Sequence, residues 1–194
     1  FTGRLRVAAV VADVLEVGTR LGFTWGELRQ SFTLDDDGAA AMNPNIYGAY
    51  LWATDTMRVR GGLELVLPLN PRAGNDALAA FYATGTQGLA DFWLWSADRF
   101  GMVPFASIEA VPIRHLYVAG ELRLGVLVPT SNGGDTDFVL QISGEGGYRT
   151  GPILAAARLR VVWFSFAGGN SQDAQVSLEP FVRALFDVGD LDAE

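Results

Sequence analysis

The sequence predicts an all-β fold, an antiparallel up-and-down β-barrel that crosses a membrane. Three observations carry that expectation. Apolar and polar residues alternate with a period of two over most of the chain. Short and long connections strictly alternate. The polar rows are crowded with arginine, glutamate and glycine, while aromatic residues collect at strand ends.

Composition narrows the field first. The 194 residues suffice for a single domain or one closed barrel, 1–194. Hydrophobic residues make up 49%, aromatic residues 11% and charged residues only 19%, which argues against disorder. No apolar run is long enough for a transmembrane helix. With no cysteine and one histidine, His115, no thiolate or histidine-rich metal site and no cofactor is expected. A net charge of −8 disfavours nucleic acid. All basic residues are arginine. The chain opens at Phe1 without a signal segment, which points to a processed or trimmed form.

Taken in order, the first element is Leu5 to Val11. Glu16 to Trp25 follows, with Val17, Thr19, Leu21, Phe23 and Trp25 on one face and Glu16, Gly18, Arg20 and Gly22 on the other. Ile46 to Ala53 and Met57 to Leu67 form a pair around Thr54-Asp55-Thr56. In the second of them, Arg58, Arg60, Gly62 and Glu64 oppose the apolar row. Met102 to Ala110 and Leu116 to Val128 come next, then Phe138 to Tyr148, Ile153 to Ser165 and Ala174 to Phe186.

Tight turns fall at Ala12 to Val14, Thr54 to Thr56, Pro112 to His115 and Arg149 to Pro152, with the residue chemistry that short hairpins need. Long loops fall at Gly26 to Asn45, Leu69 to Gly101, Pro129 to Asp137 and Phe166 to Asp173. The longest holds a short helical pattern, Asp76 to Ala83, and the cluster Phe92, Trp93, Trp95.

Alternation alone does not say which face is inside. In a membrane barrel the charged row faces the interior, since hydrocarbon cannot solvate charge. Strand lengths of roughly 8 to 13 residues match a tilted crossing. Trp25, Trp52, Tyr148, Trp163 and Phe186 then form interfacial girdles. Short turns on one side and long loops on the other match periplasmic turns and extracellular loops. About eight to twelve strands are expected, with ten preferred.

The stretches Ala12-Asp-Val-Leu-Glu-Val-Gly-Thr-Arg-Leu-Gly-Phe-Thr-Trp-Gly26 and Ala53-Thr-Asp-Thr-Met-Arg-Val-Arg-Gly-Gly-Leu-Glu-Leu-Val-Leu-Pro-Leu69 repeat one scheme, a short Asp turn and then an alternating strand. That scheme resembles small, channel-like outer-membrane β-barrel proteins of Gram-negative bacteria, including those assigned to aromatic-degradation pathways. The resemblance implies location in a Gram-negative outer membrane, with membrane lipid and lipopolysaccharide as surroundings and other envelope proteins as partners through the long loops. Closed bacterial barrels favour even strand numbers, whereas the alternation yields nine. A terminal strand is therefore missing, or the count is off by one.

On this reading Arg4, Arg6, Arg20, Arg58, Arg60, Arg123, Arg158, Arg160 and Arg183 line the interior with Glu16, Glu64, Glu109, Glu121, Glu145 and Glu179. Nine guanidiniums against six carboxylates leave three surplus positive charges. In an aqueous pathway such a surplus favours anionic solutes. Two functions are compatible with this interior. One is a narrow passive channel for small or hydrophobic solutes. The other is a non-conducting barrel, held by salt bridges, that anchors or scaffolds an envelope complex. A soluble ligand-binding barrel is the third class. The cluster Phe92, Trp93, Trp95 either packs across the mouth, gates an apolar entrance or contacts a partner from the loop. Asp35-Asp36-Asp37-Gly38 lacks the alternating ligand spacing of a calcium loop. No catalytic constellation is present: His115 sits in a turn, and no G-x-S-x-G or phosphate-cradling loop occurs.

Overall fold

The computed structural model describes residues 2–29, 35–69, 91–130, 134–165 and 174–184, with 2–4, 24–29, 35–38 and 184 described by backbone path alone. Ten strands form one antiparallel sheet. They are β1 (Thr2–Val11), β2 (Leu15–Arg29), β3 (Asp35–Ala41), β4 (Asn45–Ala53), β5 (Met57–Val66), β6 (Arg99–Ala110), β7 (Leu116–Pro129), β8 (Asp137–Thr150), β9 (Ile153–Ser165) and β10 (Gln175–Ala184). A single 3-10 turn, η1 (Phe92–Leu94), is the one helical element among the described residues. No described helix is long and apolar enough to cross a membrane.

The order is up-and-down, β1-β2-β4-β5-β6-β7-β8-β9-β10. Its nine strands are the nine that the alternation predicts. The tenth, β3, lies inside what reads in the sequence as a loop, and pairs with the far half of β2. Its sequence, Asp-Asp-Asp-Gly-Ala-Ala-Ala, has neither alternation nor β-branched residues. Backbone pairing with Phe23 to Arg29 makes it a strand. The expected Asp76 to Ala83 helix, and the side chains of Arg4, Trp25 and Phe186, lie outside the described residues.

Together β3 and β4 form one interrupted wall strand. Phe23 pairs with Ala41 and Gly18 with Tyr47, so this strand carries one residue more than β2 between those pairs. The amide side chain of Asn45 fills the gap. Its Oδ1 accepts from the Arg20 N–H at 3.0 Å and its Nδ2 donates to the Arg20 carbonyl at 2.9 Å. The ladder polar groups are thus satisfied through the bulge.

Some of the tight turns use left-handed backbone. Ala12 and Asp13 sit in the left-handed region, and Gly151 (φ 53°) does so just before Pro152, closing a two-residue hairpin. The sheet curls until its concave face encloses an interior. Among the described residues no pairing joins β1 to β10, so these two strands are its edges.

Candidate functional site

The side chains of the concave face are sorted by height. Toward the turn end they are charged. Toward the loop end the same rows become apolar: Glu64 gives way to Val66, Arg123 to Gly125 and Leu127, Gln141 to Val139, and Arg160 to Val162 and Phe164. Outward rows are predominantly apolar. Leu63, Ile108, Leu122, Ile142 and Leu159 are exposed at mid-strand, while Glu64 and Arg160 on the opposite face are buried.

Among the described residues the charged half contains seven arginines and seven acids. Glu64, fully buried, receives Arg20 from β2 and Arg123 from β7, the latter at 3.0 Å. Arg123 also holds Glu121 with two bonds, at 2.6 and 3.0 Å. Arg60 reaches Glu109 at 2.7 Å and lies 3.7 Å from Glu16, which in turn binds Arg6. Arg160 meets Glu179 at 2.8 Å, Arg158 meets Glu145, and Arg183 lies 3.9 Å from Glu145. Every one of these guanidiniums has an acid within 4 Å, as charges removed from water require.

Among the described residues, which exclude the Arg4 side chain, the charges thus balance instead of leaving the surplus of three expected from the sequence. Arg58 shares the inner row but is exposed at the turn end. Asp91, from the longest loop, enters the interior and lies 3.5 Å from Arg20. The acidic partner was invisible to pattern reading because it lies in no strand.

Below and between these charges is a cavity of about 530 Å³ whose lining comes from all nine strands of the path. Its deep end, at Asp91 and Arg123, is buried. Toward the turn end Glu109 and Arg183 are partly exposed. Guanidiniums stack on aromatic faces around it, Arg6 over Tyr47 at 5.0 Å and Arg123 over Phe105 at 5.3 Å.

Above the charges the interior is stoppered. Trp93, Leu94 and Trp95 are buried among Val66, Val103, Leu127, Val139, Val162 and Phe164. Phe92, half-buried, meets Phe164 edge to face at 5.4 Å. These aromatics are therefore not surface contacts on the loop; they fill the mouth. Gly125 makes room, since a Cβ there would stand 3.0 Å from the Trp93 ring.

Asn43, in the break between β3 and β4, holds the stopper. Its backbone N–H donates to the Leu94 carbonyl at 2.8 Å and its Nδ2 to the Ser96 carbonyl at 2.7 Å. The Asp91 N–H donates to Gln141 Oε1 at 2.9 Å. Neither Asn43 nor Gln141 belongs to a sequence motif: Asn43 lies in an expected loop and Gln141 is one polar residue on the charged row of Phe138 to Tyr148, so neither stands out as a site in the sequence. The available signal was the change from polar to apolar on the inner rows near the loop ends.

Trp52, Tyr148 and Trp163 are exposed on the outer face. His115 stacks on Tyr148 at 5.1 Å, and its Nδ1 lies 2.8 Å from the Arg149 carbonyl. Among the described residues no group of three or more acidic or histidine side chains is placed to hold a metal. A comparison with known protein families, with curated proteins and with solved structures gives no match.

Proposed function

We propose that this chain forms the wall of a Gram-negative outer-membrane β-barrel that does not conduct in the conformation described. The observation that carries the reading is the reversal of polarity. Leucine, isoleucine and valine are exposed at mid-strand on the outside, while paired arginine and glutamate line the turn-side half of the inside. In water that outer surface would be an apolar belt of the kind that drives aggregation. In a bilayer it is the surface that hydrocarbon solvates.

Trp52 and Tyr148 near the turns and Trp163 near the loops suit the two interfaces. The tight turns then face the periplasm and the long connections face outward. Lipid and lipopolysaccharide are the expected surroundings. The stopper and the balanced charge network favour an anchoring or scaffolding barrel over an open channel. A narrow passive channel is the second reading; the 530 Å³ cavity favours it, and it needs the stopper to move.

Two measurements test this. Folding into lipid vesicles, scored by protease protection, should succeed, and a monodisperse protein without detergent would overturn the membrane assignment. Planar-bilayer recordings on inserted protein should show no conductance steps; steps in the unmodified protein would favour the channel.

A further inference from the structure

The two edges of the sheet, β1 and β10, run in the same direction. Every pairing along the path between them is antiparallel, and the path has nine strands, so the chain sense reverses an even number of times. Among the described residues each edge pairs on one side only. Direct closure would make β1 and β10 a parallel pair in an otherwise antiparallel wall. A strand lying between them and running the opposite way would be antiparallel to both.

The seam also differs from the rest of the wall on both faces. On the outer row of β10, Leu178 and Val182 are 70% and 75% exposed, against 47% for Leu122 at mid-wall. On the inner row the half-exposed guanidiniums belong to the edges. The side chains of Arg6 on β1 and Arg183 on β10 are 45% and 40% exposed, whereas the five network arginines between them reach 25% at most. The acid facing Arg183, Glu145, stands 3.9 Å away. Both edge arginines line the 530 Å³ cavity, so both edges border one interior. β1 contains no proline and keeps its full run of backbone donors, while β10 lacks one at Pro180.

Within hydrocarbon, edge N–H and C=O groups find no water to bond, so such a seam must be covered. A second copy does not suit it. Copies inserted in the same sense present β1 and β10 running the same way, and either edge of a neighbour would meet this seam in parallel.

We infer that the seam is a strand-addition site for a partner polypeptide. It takes one extended segment of about ten residues, antiparallel to both edges, with apolar side chains outward and carboxylates inward between Arg6 and Arg183. This deepens the proposed function by naming how a scaffolded partner is held, and it rests on that reading where it excludes a second copy.

The chain has no cysteine, so introduced thiols report on the seam without background. The probe is a synthetic peptide of about ten residues. Valine and leucine alternate in it with threonine, glutamates replace the central threonines, and one cysteine is moved along the apolar row. With the full chain refolded in detergent micelles, the peptide should form a disulfide with Val7→Cys and with Leu178→Cys, and not with Leu122→Cys in the middle of the outer wall. Exchanging its glutamates for lysine should weaken binding about tenfold or more, the scale of a charge-assisted hydrogen bond. Arg6→Gln with Arg183→Gln should weaken the glutamate peptide to a similar degree. If that double variant does not fold, the peptide exchange on the unaltered chain still decides.

Equal affinity for the glutamate and lysine peptides, or equal cross-linking to Leu122→Cys, would overturn the inference. So would a disulfide formed without peptide. Within one chain, between Leu5→Cys or Val7→Cys and Leu178→Cys or Val182→Cys, it marks direct closure, because edges flanking a strand stand about 10 Å apart, beyond disulfide reach. Between two chains it marks a second copy. Vesicle insertion is scored separately: a protein that fails to insert yet takes the peptide loses the membrane reading and keeps the strand site, and one that inserts but refuses the peptide does the reverse.

Discussion

Arg123 on β7 reaches past β6 to Glu64 on β5, placing Nη1 3.0 Å from Oε2. Arg20 comes to the same oxygen from β2. Strands two apart are separated by about 10 Å in a flat sheet, so this contact across β6 reflects both the curl and the length of a guanidinium. Glu64 thereby joins three strands that share no ladder, at the level where the interior turns from charged to apolar.

Replacing that carboxylate should be costly. Glu64→Gln leaves Arg20 with Asp91 and Arg123 with Glu121, but removes the one acid that both share. The expected loss is about 3–5 kcal/mol, the range for breaking a buried pair. Urea unfolding in micelles, followed by tryptophan emission, measures it. A loss under about 1 kcal/mol would mean that the centre is hydrated and the network is screened.

Gly125 sits under the Trp93 ring with no space for a branched side chain. Gly125→Val should therefore destabilise by about 1–3 kcal/mol through overpacking, or eject the stopper. The two results separate in one experiment. Overpacking lowers the unfolding midpoint without changing the emission of the folded protein, whereas ejection shifts that emission to the red. Gly144, where a Cβ would meet nothing within 4 Å, is the control: Gly144→Val should do neither.

Leu122 is 47% exposed at the middle of β7, on the outer face. In a bilayer Leu122→Arg should cost about 2–4 kcal/mol, as charges do at the lipid-facing midplane. In a water-exposed sheet the same change would fall within about 0.5 kcal/mol of zero. Folding equilibria into vesicles over a urea series discriminate the two, and a near-zero value would remove the lipid from the account.

Much of this was legible from local pattern. Period two is a property of neighbouring residues, so the nine path strands, their tight turns and the separation of charged rows from apolar rows follow from reading along the chain, whereas the inward facing of Arg20, Arg60, Glu121 and Glu145 rests on the membrane expectation. Where pattern failed, the cause was pairing at a distance. Three aspartates, a glycine and three alanines become β3 because β2 continues beyond β4 and offers backbone partners, not because their side chains prefer a strand.

The charge tally failed for a related reason. Asp91 is one more loop acid until the chain folds back and sets it 3.5 Å from Arg20. The apolar upper interior is likewise visible only once Trp93 and Trp95 are in place, since Val66, Val103 and Leu127 look like lapses in alternation when each strand is read alone. The sequence by itself determined which residues lie on each face of each strand, since alternation is local. Only the tertiary structure decided what the concave face encloses, because that depends on side chains brought together from strands and a loop far apart in the chain.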